Sequence, residues 1–380
     1  MKLTIMKEHI IDGLQKAAAI IPDRSGAASL RSLWLKAAGD KLAILSTDAN
    51  IEFTGQYAAS VVQEGLAGIQ GKTFVDLVRQ LPGGRITLAL DEESGNLLLE
   101  QGKRKYKLPV SNPEWFQPLS EFPAQNAVGW SADLLQEVIE RVGFCISDEK
   151  EPSAIGCLYM KQVGNGRIES CGLNGHQFAL TAFIHDELAA VLPPEGILIQ
   201  KKYMQEMKKW LAGLEEIEVN VGAKRLYLRT GNGEEMLSLP RSTYAYPDYM
   251  SFVSKLSAKD ISKLDVDRKE CMEALGRVFI FTSDNDRCTY IDLAESELSL
   301  TAQGEGSADE RLEANYQGSI AKIAFPTRNL MDVLGHFTSA RVTLNFTAVE
   351  GPCGVSGKDD PEYTVIIMPM KIADVSYYEE

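Results

Sequence analysis

Three short stretches of the chain hold residue types that could do chemistry, and each lacks a part that the chemistry requires. The first is GLAGIQGKTF (65–74), where an apolar run leads into Gly71-Lys72-Thr73. A phosphate-binding loop has the form G-x-x-x-x-G-K-[ST], because glycine backbone N–H groups must wrap the phosphates. Its leading glycine belongs at position 66, which is leucine; Gly65 stands one residue too early. The stretch reads as a strand-to-helix junction, with a phosphate-binding enzyme using Lys72 as a rival reading. The second is His176 in GLNGHQF (172–178). A catalytic histidine needs a nucleophile or an orienting acid within reach, and spacing supplies none, so His176 reads as a turn or pocket-lining residue. The third, GVSGKDD (354–360), is an incomplete G-x-S-x-G and so no nucleophile elbow.

Metal and thiol chemistry fare no better. The four histidines (9, 176, 185, 336) are isolated, and the six cysteines (145, 157, 171, 271, 288, 353) show no CxxC spacing. That pattern predicts no metal site, no cofactor and reduced thiols in a cytoplasmic protein. The sequence offers no reaction, and the chain reads as something other than an enzyme.

What remains is charge. The formal net charge of −14 argues against a protein that binds nucleic acid over its whole surface, since such affinity comes from neutralising phosphates. A local basic surface on an acidic body is still open. Lys16, Arg24, Lys72, Arg79, Arg141, Lys201, Lys202, Lys208, Lys209, Arg268, Lys269 and Arg277 all fall on predicted helices or their entrances, whereas Asp91-Glu92-Glu93 and Glu295 fall on strands and hairpins. Two readings follow: solvated helix faces, or a positive lining if repeated domains close a ring with their helices inward.

The elements that carry these residues recur. Phe74, Leu77, Val78 and Leu81 have helical spacing, Pro82-Gly83-Gly84 stops that helix, and RITLAL (85–90) alternates as a half-buried strand. The same order returns in MQEMKKWLAG with EIEVNV (216–221), and in NLMDVLGHF with RVTLNF (341–346). Closing strands run into Leu108-Pro109, Leu239-Pro240 and Met368-Pro369. Ahead of each copy stands a further helix, predicted over 7–21, 131–146 and 267–281, followed by a hairpin. Ser131 suits an N-cap, and Asp267 with Glu270 resembles a capping box. The hairpin turns carry Gly39-Asp40, Gly164-Asn165-Gly166 and Glu295-Ser296.

The fold class is therefore α+β, with three tandem domains of two helices each packed on antiparallel sheets: 1–125, 126–253 and 254–372. Segments 111–125 and 241–254 are Pro-containing, polar linkers with aromatic anchors, and 373–380 (ADVSYYEE) is a tail beyond the last module. A repeat of this length points to an array or a closed ring and away from one catalytic pocket. No apolar run approaches the roughly 20 residues that span a bilayer, so no membrane association is expected.

This order of elements, with LNGHQFAL (173–180), YPDY (246–249), the MKLTI start and TVIIMPMKI (364–372), resembles the bacterial DNA polymerase III beta subunit family, the replicative sliding clamps. The resemblance covers about residues 1–372. It implies a head-to-tail homodimer ring with helices lining the hole, sequence-independent binding of double-stranded DNA, and tethering of the replicative polymerase for processive synthesis. DNA contacts would come from Arg24, Lys72, Arg79, Arg141, Lys201, Lys202, Lys209 and Arg277. The dimer contact would join Lys103, Arg104, Lys105, Tyr106 and Leu108 of one copy to Ile280 and Phe281 of the other, with Asp309, Glu310 and Glu313 as acidic counterparts. A partner-peptide pocket would use Ala154, Leu173, Gly175, His176, Phe178, Pro247, Phe252, Ile366, Met368, Pro369 and Met370. Its partners would be the DNA polymerase III alpha subunit, the clamp loader and repair polymerases, docking by short linear motifs.

Two departures stand out. The family segment often reads Thr-Asp-Gly-His-Arg-Leu; here Leu173-Asn174-Gly175-His176-Gln177-Phe178 loses a cation and enlarges an apolar wall. The loop 148–153 (DEKEPS) has no aromatic or Gln for DNA. The rival to a clamp is a repeat-built interaction scaffold that never binds DNA.

Overall fold

A computed structural model of the chain describes residues 1–22, 28–148, 153–257, 260–282, 287–304 and 306–372. Arg24, residues 149–152 of the 148–153 loop and the 373–380 tail lie outside them. Eight α-helices occur among the described residues: α1 Lys7–Ile20, α2 Gly71–Gln80, α3 Ala132–Gly143, α4 Asp186–Val191, α5 Lys201–Leu211, α6 Met250–Val253, α7 Arg268–Phe279 and α8 Thr327–Gly335. The long helices form where an amphipathic period runs, and α3 and α7 add a side-chain cap, which α1, α2 and α8 lack. On α2, Phe74, Val75 and Val78 are buried while Lys72, Asp76 and Arg79 face solvent. Ser131 Oγ accepts from Leu134 N (3.3 Å) at the start of α3, and Asp267 accepts from Glu270 N (2.9 Å) at the start of α7. Helix α4 was not anticipated; His185 caps it, its Nδ1 accepting from Leu188 N.

The chain divides into two compact units, Met1–Gln136 with Lys202–Ser242, and Glu137–Lys201 with Thr243–Glu380. These cuts differ from the linkers near 125 and 254 because strands pair across those linkers. In the first unit, the strands Glu52–Ala58 and Glu235–Pro240 pair antiparallel, Phe53 opposite Leu237. One continuous sheet results, running from Val128–Ser131 through Glu216–Val221, Arg225–Thr230 and Glu235–Pro240 into Glu52–Ala58, Lys41–Thr47 and Ser32–Ala38. It continues through Gly65–Gln70, Arg104–Ser111, Asn96–Gln101, Arg85–Asp91 and Lys2–Met6 to Ser60–Gln63. In the second unit, Gln177–Ile184 pairs with Tyr363–Ile367, Phe178 opposite Ile366, and again fuses two sets of strands into one sheet.

A buried ionic group ties α1 to the first of these junctions. Glu235, 8% exposed, accepts from Lys16 Nζ (2.6 Å) and Tyr57 Oη (2.8 Å). Burial and the neighbouring carboxylate push the Tyr57 hydroxyl far above its ordinary pKa, so it stays a donor. Gly13 of α1 lies over this group: a Cβ there would sit 1.7 Å from Tyr57 Oη. Removing one partner of such a group leaves an uncompensated buried charge, which costs about 3–5 kcal/mol.

In the second unit, Asp360 is 1% exposed and accepts from the backbone N and hydroxyl of both Thr338 and Ser339, at 2.6–3.1 Å. Burial alone would raise its pKa; the hydrogen bonds from Ser339 and Thr338 outweigh it and hold the carboxyl below the usual aspartate range. A depressed carboxyl pKa adds stability that is complete above the unfolded value of about 3.9 and is lost as pH falls through the folded value. Asp360→Asn is therefore expected to lower the urea midpoint at pH 7, by about 1–3 kcal/mol of stability. It should also flatten the fall in stability below about pH 4 relative to the unmodified chain. Parallel pH profiles for the two proteins would remove this role from Asp360.

Candidate functional site

In the second unit an aromatic linker lies on one face of the sheet. Tyr246, Tyr249 and Phe252 come from the segment 243–253, and Tyr159 and Phe178 come from the strands beneath. Tyr246 stacks on Tyr159 with ring centroids 4.4 Å apart, and Phe252 meets Phe178 edge-on at 4.9 Å. Tyr249 packs against both strands' aromatics and donates its hydroxyl to Glu169 Oε2 (2.6 Å). Burial, then that carboxylate, raises the Tyr249 pKa, so a buried neutral phenol locks the linker to the sheet. The cluster continues through Cys157, Cys171, Leu198 and Ile366, with Leu173, Leu180 and Val253 partly buried at its edge.

The predicted pocket residues gather around this cluster in two layers. Phe178 (2% exposed) and Ile366 (4%) form the buried floor of the surface. Ala154, Leu173, Phe252, Met368 and Pro369 are half-buried, and Gly175, His176, Pro247 and Met370 face solvent. Gly175 (φ +88°) makes the turn in which Asn174 Oδ1 accepts from His176 N (3.0 Å) and Gln177 N (2.8 Å). The His176 carbonyl then accepts from Met368 N (2.9 Å), and Met370 N donates to Ala324 O (2.7 Å). Pro369 has no N–H to donate, so the chain end is pinned on both sides of it while two methionine side chains stay at the surface. Such a rim is apolar and deformable, suited to an extended peptide with aliphatic or aromatic anchors. Sequence reasoning missed Tyr159, Tyr246 and Tyr249 as its supports; the aromatic spacing in TYAYPDYMSF (243–252) was the available signal.

The predicted DNA-contacting cations separate into two groups. Lys72, Arg79, Lys202 and Lys209 are exposed on α2 and α5. Arg79 and Lys209 make exposed pairs with Asp76 and Glu206 of their own helices, contacts worth about 0.3–0.5 kcal/mol that a phosphate could replace. Lys202 Nζ lies 4.4 Å from the Tyr203 ring centroid. Arg141 and Lys201 are held largely inside the fold, whereas Arg277 is exposed and engaged in a surface ion pair. Arg141 is 18% exposed and lies against Glu137, Asp360 and the Tyr363 ring. Lys201, also 18% exposed, donates to Ile146 O and pairs with Asp148, both at 2.8 Å. Arg277 binds Glu310 through Nε and Nη2 at 2.6 and 2.7 Å.

Each unit also has a strand with an open side. In Arg104–Ser111, residues 104–109 pair with Asn96–Gln101, and only Val110 and Ser111 pair on the other side. Along this edge Lys103 and Arg104 have no ion-pair partner among the described residues, and Lys105 Nζ pairs with Glu100 (2.8 Å). Tyr106 is half-buried, and Leu108, 8% exposed, packs into the core beneath the edge. In Ser307–Gln317, residues 307–313 pair only with Glu297–Gln303. That edge holds Asp309, Glu310 and Glu313, and in the same unit Ile280 (75% exposed) and Phe281 (40%) leave the end of α7 bare.

Residues 1–120 match the model of the DNA polymerase III beta subunit, N-terminal domain, and residues 256–371 match that of its C-terminal domain. A beta sliding clamp of Caulobacter vibrioides is 24% identical over 385 residues, spanning 98% of this chain and 100% of the relative. One of Rickettsia felis is 25% identical over 394 residues with the same coverage. Among solved structures, the Caulobacter crescentus pol III beta fold superposes with a TM-score of 0.90 at 24% identity, covering 98% of this chain and 100% of the other. A Pseudomonas aeruginosa sliding clamp bound to griselimycin gives 0.88 at 21% identity, with the same coverage.

Proposed function

Since the chain belongs to the DNA polymerase III beta subunit family, we propose that it is a sliding clamp: a non-catalytic ring that encircles duplex DNA and tethers the replicative polymerase. The observation that carries this reading is the pair of open strand edges, one basic and one acidic, on a chain of clamp fold. A head-to-tail contact between two copies is heterologous and closes after two subunits. It would set the basic 104–109 edge of one copy against the acidic 307–313 edge of the other, with Ile280 and Phe281 covered between them. Edge strands paired in this way are also protected from aggregation.

The mechanism is topological. A closed ring cannot leave duplex DNA sideways, so weak contacts from Lys72, Arg79, Lys202 and Lys209 suffice and permit sliding. Contacts to the phosphate backbone carry no sequence preference, and the acidic body discourages DNA from binding elsewhere. The three modules 1–125, 126–253 and 254–372, doubled, would supply the circumference. Polymerase, loader and repair factors would take turns at the Leu173–Met368 surface, each by a short peptide. Small-angle scattering is the test: the reading expects a mass near twice 41.8 kDa and a distance distribution with a central hole. An elongated monomer would overturn ring closure.

A further inference from the structure

The first unit repeats the architecture of the peptide surface with different side chains. Its linker 113–122 crosses the sheet as 243–253 does in the second unit. Trp34 occupies the place of Tyr159: it meets the linker ring of Phe116 at 5.2 Å, as Tyr159 meets Tyr246. The rows also correspond. Trp34, Leu45, Thr54 and Met236 lie side by side across four strands, as Tyr159, Cys171, Leu180 and Thr364 do. Between linker and sheet lies a cleft of about 220 Å³ lined by Leu30, Trp34, Leu45, Trp115 and Phe116. It opens into a wider one of about 450 Å³, the two sharing Leu45, Phe116 and Leu119.

The next row differs in kind. Where the second unit has Leu173, Phe178 and Ile366, the first has Thr47, Glu52 and Ser238. Arg225 fills that side, binding Ser238 Oγ (2.6 Å) and lying 3.5 Å from Glu52. A ligand that needs two adjacent apolar subsites therefore has only one here, at Trp34 and Leu45. The surrounding charges add a second requirement. Lys36, which lines the wider cleft, and Arg31, next in the chain to Leu30, are exposed and have no partner among the described residues. Glu52 and Glu234 are held by Arg225 and Asn232, while Glu121 lies exposed at the far end. Trp115, 45% exposed, forms the lip of the smaller cleft.

We propose that this cleft is a second peptide-docking site, which takes a short extended segment of a partner protein with one bulky apolar anchor flanked by acidic residues. The anchor enters between Trp34, Leu45 and Trp115, and a carboxylate meets Lys36 or Arg31. The chain would thus hold two slots of common architecture that read different peptides, so that two partners need not compete.

The test uses a fluorescein-labelled peptide with a single apolar anchor, Asp-Glu-Phe-Ser-Asp, titrated against the full chain by anisotropy. Saturable binding is expected. Trp115→Ala, at the surface and remote from the core, should weaken it about tenfold, and Lys36→Glu several-fold. The same peptide with lysines in place of its acids should bind at least tenfold more weakly. Met370→Asp, at the other slot, should leave it unchanged. Loss of binding in Met370→Asp would mean the peptide uses the other slot and would overturn the proposal. So would insensitivity to both Trp115→Ala and Lys36→Glu, or no saturation at 1 mM. None of these outcomes depends on ring closure, which scattering reports separately.

Discussion

Ile280→Asp is expected to break the proposed dimer into monomers and to abolish retention on DNA. Ile280 is 75% exposed in the single chain, so a polar substitution there leaves the fold close to its original stability. In the proposed ring the same side chain is covered. Burying an isoleucine contributes about 1.5–3 kcal/mol, and a closed dimer has two such contacts, so about 3–6 kcal/mol is at stake per ring. At about 1.4 kcal/mol per tenfold, that weakens dimerisation by roughly two to four orders of magnitude, before the cost of desolvating the new carboxylate. Light scattering should show the mass falling from about twice 41.8 kDa to 41.8 kDa. Retention is read on a duplex whose biotinylated ends are capped with streptavidin after the protein has threaded on. The unmodified ring should stay through a high-salt wash, and Ile280→Asp should not. A variant that remains dimeric and trapped would exclude the end of α7 from the closure. Leu108→Asp would be a poor substitute, because Leu108 is core and its loss would unfold the edge along with the interface.

The elements were legible wherever amphipathic period, cap and stop agreed within a few residues. Helix α2 ends one residue before Leu81, as Pro82-Gly83-Gly84 requires, and EIEVNV and RVTLNF form strands over the predicted residues. Ser131 and Asp267 cap as expected because capping is a local geometry. The continuous sheets were not legible, since the pairing of Glu52–Gly55 with Glu235–Ser238 joins segments far apart in the chain and nothing local marks either as a partner. That pairing is why the compact units cut through the central third instead of bounding it.

Charge shows the same boundary between local and distant information. A sequence marks Arg141, Lys201 and Arg277 as cations on helices, the same description that fits Lys72 and Lys202. What sets Arg141 and Lys201 apart is how deeply the fold holds them, Arg141 against Asp360 and Tyr363 and Lys201 on the Ile146 carbonyl, while Arg277 keeps an exposed pair with Glu310. Burial divides the peptide surface in a similar way. Phe178 and Met368 both read as apolar strand residues near a domain end, yet one is floor and the other rim, because alternation along the strand turns Phe178 under the aromatic linker.

That division makes Met368 the sharper probe of partner binding. Met368→Asp is expected to weaken an extended peptide carrying adjacent Leu and Phe anchors by about thirtyfold or more, measured by calorimetry. The side chain is half-buried at the rim, and the residue's structural duty is a backbone one, its N–H donating to the His176 carbonyl. Aspartate keeps that hydrogen bond, so the strand end should hold its place and the urea midpoint should move little. What changes is the face offered to the peptide. Losing the methionine contact forfeits about 1.5–3 kcal/mol of apolar burial, a factor of roughly 10–150. A carboxylate facing an apolar anchor adds a desolvation penalty. Phe178→Ala would also weaken binding, but by collapsing the floor on which Tyr249 and Phe252 rest, and it would lower stability by about 3–5 kcal/mol at the same time. Affinity and stability should therefore separate in Met368→Asp and fall together in Phe178→Ala. If Met368→Asp bound the peptide within twofold of the unmodified chain, the partner would have to be held away from this rim, and the slot would lose its place in the mechanism.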